Sequence, residues 1–234
     1  MKKTVLINFI KKEFANWKKS ELSAIVIILT VLTINSCMLK DTPIAIISAF
    51  CGIMYTIIAG KGKISCYLFG LTGSGLYAYL SFINNLYGNL TLYLLYYIPM
   101  QILGIFKWKK HLKKTTQEIY KTEFTKKNKI ILTVLSIGLC IIFVGILKLL
   151  NDSQPLYDGT TTALSVVGMY LTVKRKLEQW IIWSIVNALA IIMWFNVIQS
   201  GFKAYSTLFM WSVYLILGIY FYIEWRKELK KSRN

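Results

Sequence analysis

Short clusters of charged residues divide the chain into apolar runs of about twenty residues, the length of helix that crosses a hydrocarbon core of ~30 Å. Eight runs meet that length: residues 21–39, 42–60, 64–85, 88–107, 130–150, 157–174, 178–199 and 204–225. Several are joined by only a few polar residues, among them Lys40 with Asp41 and the Gln199, Ser200, Gly201 step, which suits tight antiparallel hairpins. The pattern predicts an all-α integral membrane protein with eight transmembrane helices. Residues 1–20 are basic, and their apolar stretch is broken by Lys11 and Lys12 with no small-residue cleavage site after it. They are expected to form a cytoplasmic amphipathic segment on the membrane surface rather than a cleaved signal.

Composition agrees with the pattern. The 234 residues are 56% hydrophobic and 16% charged, too apolar for a soluble domain of this length. The net charge of +18 would fit a nucleic-acid binder only if the basic residues lined a polar surface, and here they sit between apolar runs. They instead set an orientation. Of the 28 Lys and Arg, 25 fall in the N-terminal tail, at Lys61 and Lys63, in residues 107–129, at 174–176 and in the C-terminal tail, leaving only Lys40, Lys148 and Lys203 for the other side. Eight crossings with both termini cytoplasmic satisfy the positive-inside rule, and one span more or fewer would destroy the partition. A multi-pass membrane protein is expected.

The halves resemble each other. Asp41, Ser48, Gly52, Tyr55 and the KGK at 61–63 run parallel to Asp158, Ser165, Gly168, Tyr170 and the KRK at 174–176, and Gly88 and Gly104 match Gly201 and Gly218. Two three-helix bundles are predicted, 42–108 and 157–225, in parallel repeat. Residues 130–150 serve as a linker span, 21–39 as an extra N-terminal span, 109–129 as a basic cytoplasmic loop and 226–234 as a tail. Such repeats suggest a transporter with its site near the midplane.

Two polar positions stand out within the apolar spans. In 178–199, Trp180, Trp183, Asn187 and Trp194 share one helical face. Trp180 is explained as an interfacial anchor. Asn187 lies near mid-span, where an unpaired amide is costly, so it faces protein or a wet cavity. Interhelical hydrogen bonding is the plain structural explanation; a Trp one turn away favours binding of a planar heterocycle that carries a carboxamide or ribose hydroxyls. The second position is Gln101, two residues after Pro99, whose missing N–H frees a carbonyl and kinks the helix. A packing kink with a satisfied glutamine is the alternative, and both amides could line one central cavity. Of the aromatic residues Tyr55, Tyr93, Tyr96, Tyr97, Tyr170, Trp211 and Tyr214, most belong to packing; Tyr97, Tyr170 and Trp211 are the expected substrate contacts.

Other chemistry is missing. The ten carboxylates fall in tails, loops or span ends, and the lone His111 lies in the basic loop. The four cysteines stand singly inside apolar runs and fit small fillers. The glycines of GLTGSG, Gly70, Gly73 and Gly75, follow no strand and suit close helix packing rather than nucleotide binding. A proton relay, a metal site, a cofactor and an intramembrane enzyme are therefore not expected. A non-transporting membrane scaffold, with both amides as interhelical glue, is the competing class.

The WxxWxxxN pattern at Trp180, Trp183 and Asn187, the run Tyr97, Pro99, Met100, Gln101, Gly104, Trp108, and the GIYFYIEW at 218–225 resemble the PnuC family of bacterial vitamin transporters. The resemblance covers most of residues 40–225. It implies two three-helix bundles joined by a linker helix, as in the SWEET-like fold, assembled as a homotrimer with one pathway per subunit. It implies uptake of nicotinamide riboside by facilitated diffusion, with a cytoplasmic kinase trapping the product, and Trp183, Asn187 and Gln101 at the substrate. Members of the family also carry thiamine, riboflavin or deoxynucleosides; Asn187 tilts the choice to nicotinamide riboside. In the first half Gly70 and Ser74 stand where the second has Trp183 and Asn187, so the halves are expected to contribute unequally.

Overall fold

The computed structural model describes residues 17–38, 42–83, 87–114, 116–201 and 205–232. The amphipathic segment expected at 1–20 and the connections at Lys40, Asp41 and Lys203 lie largely or wholly outside these residues. All regular elements described are helical: α1 (Lys19–Met38), α2 (Pro43–Gly60), α3 (Cys66–Ile83), α4 (Tyr87–Leu92), a π-helical turn (Tyr93–Tyr97), α5 (Ile98–Lys109), α6 (Lys126–Leu149), α7 (Pro155–Val173), α8 (Gln179–Gln199) and α9 (Tyr205–Lys231). They fall where the apolar runs predicted helices, to within a few residues except at the C-terminal end, where α9 continues past 225. Among the described residues five stretches are long and apolar enough to cross a membrane: Lys19–Met38, Leu90–Lys109, Lys126–Leu149, Gln179–Gln199 and Thr207–Lys231. The helices α2 and α3, of 18 residues each, and α7, of 19, are shorter. The aliphatic side chains of α6 are exposed along its length, Ile130, Val134, Leu135, Ile137, Ile141 and Ile142 among them, as a lipid-facing span requires.

Pro99 does more than kink its helix. With no N–H at 99 the carbonyl four residues earlier lacks its helical donor, and the chain widens into a π-turn in which the Ile98 N–H donates to the Tyr93 carbonyl, five residues back. The helix resumes as α5 with Gln101, Gly104 and Trp108 on its buried side.

The chain divides into two compact units, Met1–Tyr120 and Lys121–Asn234. In the first, α2 and α3 approach closely because Gly73 lacks a side chain: a Cβ there would lie 3.1 Å from Cys51 Cβ, and the Ser48 hydroxyl donates to the Gly73 carbonyl at 3.2 Å. Tyr67 of α3 fills the notch left by Gly104 of α5 and meets Trp108 edge-on at 5.0 Å. The helix α1 is pinned to the end of α2 by an ion pair of 2.6 Å from Glu21 to Lys61. In the second unit, α6 and α7 touch backbone to backbone, since a Cβ on Gly159 would sit 2.8 Å from the Val144 Cα. Gly168 seats Trp183 between α7 and α8, and Gly218 seats Ser184 between α8 and α9.

The two turns KGK and KRK have the same build. Gly62 and Arg175 both take positive φ, 71° and 59°, and each turn carbonyl accepts a hydrogen bond from the loop that follows α5. The Ile119 N–H donates to the Gly62 carbonyl in the first unit, and the Thr122 N–H to the Arg175 carbonyl in the second. The basic loop is thus a folded strap and not a run of solvated charge. Lys63 is 1% exposed and donates to the Thr116 carbonyl at 2.7 Å. Lys121 pairs with Glu228 and lies over the Trp225 ring, and Lys176, whose ammonium burial pushes below the usual lysine range, lies over Phe124. His111 Nδ1 is 2.7 Å from the Lys107 carbonyl, an acceptor only, so this nitrogen carries the proton and closes the end of α5.

These turns fix the internal repeat at an offset of 113, since 62 answers 175. The register pairs Tyr55 with Gly168, rather than with Tyr170 as the sequence alignment had it, and Gly70 with Trp183. Large and small residues have exchanged helices: in the first unit the aromatic ring is on α2 and the glycine on α3, whereas in the second the glycine is on α7 and the ring on α8.

Candidate functional site

The second unit builds its polar centre on α8. Trp183 lies over Gly168, whose missing Cβ leaves 2.9 Å to the nearest indole carbon. Its indole N–H donates to the Thr172 hydroxyl at 3.1 Å, and that hydroxyl in turn donates to the Gly168 carbonyl at 2.9 Å. Glycine gives the ring a seat and threonine fixes its rotation. Asn187, one turn along, is 4% exposed. Its amide nitrogen is the next atom to the Gly218 notch after Ser184, 3.9 Å from where a Cβ would be. Among the described residues the Asn187 side chain makes no hydrogen bond. An amide serving as interhelical glue would have a protein partner at this depth; this one does not.

The first unit holds its amide on a different helix. Gln101 of α5 is 5% exposed and reaches α3, where its Nε2 donates to the Ser74 hydroxyl at 2.7 Å. Its Oε1 is buried without a hydrogen-bond partner among the described residues. Gly70 makes the room, because a Cβ there would stand 2.6 Å from that oxygen and 2.7 Å from the Tyr55 ring. By the 113 register Ser74 answers Asn187, and Gln101 answers Tyr214. Each unit therefore presents one carboxamide near the same level of its bundle, from α5 in one and α8 in the other.

The remaining site expectations divide. Tyr97 ends the π-turn, its ring 4.9 Å from Tyr93 and 5.7 Å from Tyr96. Trp211 packs edge-on against Tyr214 at 5.8 Å with its indole N–H buried and unpartnered among the described residues. Tyr170 is 44% exposed with Lys174 at 5.7 Å from its ring; two residues from Gly168, it points from the opposite side of α7. Trp180 is not an interfacial anchor. It is 3% exposed, packed on Phe221 and edge-on against Trp225, because in this unit the α8 and α9 ends close on each other.

Thr172 and Gly168 as the seat of Trp183 were not singled out in the sequence, nor was Ser74 as the partner of Gln101. The KGK and KRK pair taken strictly at 113 lines up Tyr55 with Gly168, the signal for the ring seat at Gly168; no sequence signal marks Thr172.

Residues 42–227 match the family model described as nicotinamide mononucleotide transporter. Among curated proteins, the chain is 32% identical over 223 residues to a nicotinamide riboside transporter PnuC of Neisseria mucosa, a match that covers 93% of this chain and 85% of that one. It is 29% identical over 226 residues to the protein of the same name in Haemophilus influenzae, covering 95% and 97%. A crystal structure titled as the vitamin B3 transporter PnuC superposes with a TM-score of 0.81 at 33% identity, over 94% of this chain and 97% of that one.

Proposed function

The chain belongs to the family described as nicotinamide mononucleotide transporters, and from that premise we propose that it is a multi-pass membrane carrier of nicotinamide riboside, which it lets pass down its own gradient. The observation that carries this reading is the Asn187 amide, buried beside Trp183 with no hydrogen-bond partner among the described residues. Trp183 offers the ring an aromatic face, and a cationic pyridine ring on an aromatic face is held without a carboxylate. In the second unit Asn187 supplies a donor and an acceptor for the carboxamide or the ribose hydroxyls and Trp211 a further aromatic contact; in the first, Gln101 and Tyr97 offer the same kinds of group. The family's description names the mononucleotide and the relatives' names the riboside. The chemistry of this chain favours the riboside: α2, α3, α7 and α8 contain no Lys or Arg, and a phosphate taken to mid-membrane would lack a cation.

The architecture that goes with this function is two three-helix bundles, 42–108 and 157–225, with α6 as the linking span and α1 as an extra one. Eight crossings put both termini in the cytoplasm of a bacterial inner membrane, and support for this orientation is the placing of 25 of the 28 basic residues on one side. Assembly is as a homotrimer with one pathway in each subunit. Phosphorylation of the riboside inside the cell keeps it there.

Titration of the detergent-purified chain with nicotinamide riboside, nicotinamide mononucleotide, thiamine and riboflavin tests the substrate. Saturable heat with the riboside and none with the mononucleotide is the expected result. Tighter binding of thiamine or riboflavin would reassign the cargo, and no saturable binding to any would favour a scaffold.

A further inference from the structure

Thr172 is the last residue but one of α7 and is 2% exposed. Its hydroxyl makes two hydrogen bonds whose directions chemistry fixes. An indole N–H only donates, so the Thr172 oxygen accepts from Trp183 at 3.1 Å; a carbonyl only accepts, so the one hydroxyl proton goes to Gly168, a turn back, at 2.9 Å. That bond to residue i−4 is the one a helical threonine can make within its own helix, and it locks the rotamer that faces the acceptor toward α8. Trp183 is thereby engaged on two sides. One face lies on the Gly168 notch, its ring carbons 2.9 to 3.2 Å from where a Cβ would be, and its N–H edge is on Thr172. The ring is still partly exposed, and what it has left to offer is a π surface with no hydrogen-bonding group. In the register of the two turns Ala59 answers Thr172 and Gly70 answers Trp183, so the first unit has neither the ring nor the hydroxyl at these places.

We propose that Thr172 is a positioning residue for the cargo: by holding the Trp183 N–H it presents the ring as a face without a donor, and so makes this tryptophan a reader of positive charge on the bound ring. Attraction of a cation to an indole needs the cation over the ring face, and the ring edge is positive and repels it. With the hydroxyl gone, the N–H is left without its acceptor and the ring turns toward another, the oxygens of the cargo among them. Charge then counts for less in recognition. This inference rests on the riboside reading above.

The test is titration of the full-length purified protein with nicotinamide riboside and with its reduced 1,4-dihydro form, which keeps the ribose and the carboxamide but has an uncharged ring. The parent chain, Thr172→Val, Thr172→Ser and Trp183→Phe with and without Thr172→Val are compared. The parent is expected to bind the cation at least about fivefold tighter than the uncharged form. Thr172→Val should cut that preference to about twofold or less, and Thr172→Ser, which keeps the hydroxyl, should restore it. Phenylalanine has no N–H to hold, so adding Thr172→Val to Trp183→Phe should leave the preference unchanged. Thermal unfolding identifies a variant that fails to fold, and Thr172→Ala, also without the hydroxyl, then takes the place of Thr172→Val. A parent that binds both forms equally overturns the proposal. So does an equal loss of affinity for both in Thr172→Val, or a Thr172→Val effect of the same size beside Trp183→Phe, each of which marks a merely structural threonine and leaves riboside transport standing. A parent that binds neither form overturns both.

Discussion

Asn187→Ala is expected to weaken nicotinamide riboside binding about a hundredfold while leaving thermal stability almost unchanged. The two halves of this expectation come from one fact. The side chain is 4% exposed yet has no hydrogen-bond partner among the described residues, so its removal breaks no hydrogen bond to them. The ligand, by contrast, loses the group that pairs with it; about 1–3 kcal/mol for a partner left unsatisfied corresponds to roughly five- to 150-fold in affinity, and an amide that both donates and accepts stands toward the upper end. Were Asn187 a structural bridge, the order would reverse, with a fall in stability and little change in affinity. Trp183→Ala separates the two less well, because the ring also packs over Gly168 and bonds Thr172, and deleting a large aromatic side chain costs about 3–5 kcal/mol by itself. Isothermal titration beside a detergent melting curve checks both halves for Asn187→Ala.

The second large effect is on folding. Gly104→Ala places a Cβ 2.3 Å from the Tyr67 hydroxyl and ring carbon. That ring has nowhere to go: it is 1% exposed, edge-on to Trp108 at 5.0 Å and tilted against Tyr55 at 6.2 Å. Overpacking of this kind costs about 1–3 kcal/mol, and here it strikes the contact that joins α3 to α5. The expected outcome is a clear drop in melting temperature and in the yield of monodisperse protein. The control lies in α6, where a Cβ on Gly138 or Gly145 meets nothing within 4 Å. Alanine at either place should be neutral or stabilising, by up to about 1 kcal/mol in helix propensity. Equal losses at 104 and 138 would refute the packing account.

The helices were legible because a span leaves a coarse mark: some twenty apolar residues between charged clusters survive any detail of packing. Asn187 and Gln101 were legible for a related reason, since an amide is conspicuous in an apolar run. What the pattern could not carry was partner choice. Nothing local to Gln101 says that its nitrogen binds Ser74, 27 positions earlier, and nothing local to Asn187 says that it has no partner. Half of the exchange of ring and glycine was visible, since Gly70 was aligned with Trp183; the other half, Tyr55 against Gly168, was hidden because Tyr55 was matched to Tyr170 and Gly52 to Gly168, like with like. Volume is conserved across the contact rather than at each position.

The strap was illegible for another reason. Lys63 and Lys121 look like every other basic residue that marks the cytoplasmic side, and only tertiary structure distinguishes a buried, bonded ammonium from a solvated one. Arg175 gave no sign of its positive φ except that Gly62 holds the same place in the first turn. Trp180 misled because a tryptophan near a span end is so often an anchor, and here it closes the packing of α8 on α9.

The most direct measurement is uptake of labelled nicotinamide riboside into proteoliposomes that hold the purified chain and no ion gradient. Saturable entry that stops when the internal concentration equals the external one, and that is lost with Asn187→Ala, is the predicted result. No entry above that of empty liposomes, or uptake in the Asn187→Ala variant equal to the parent's, would contradict the account.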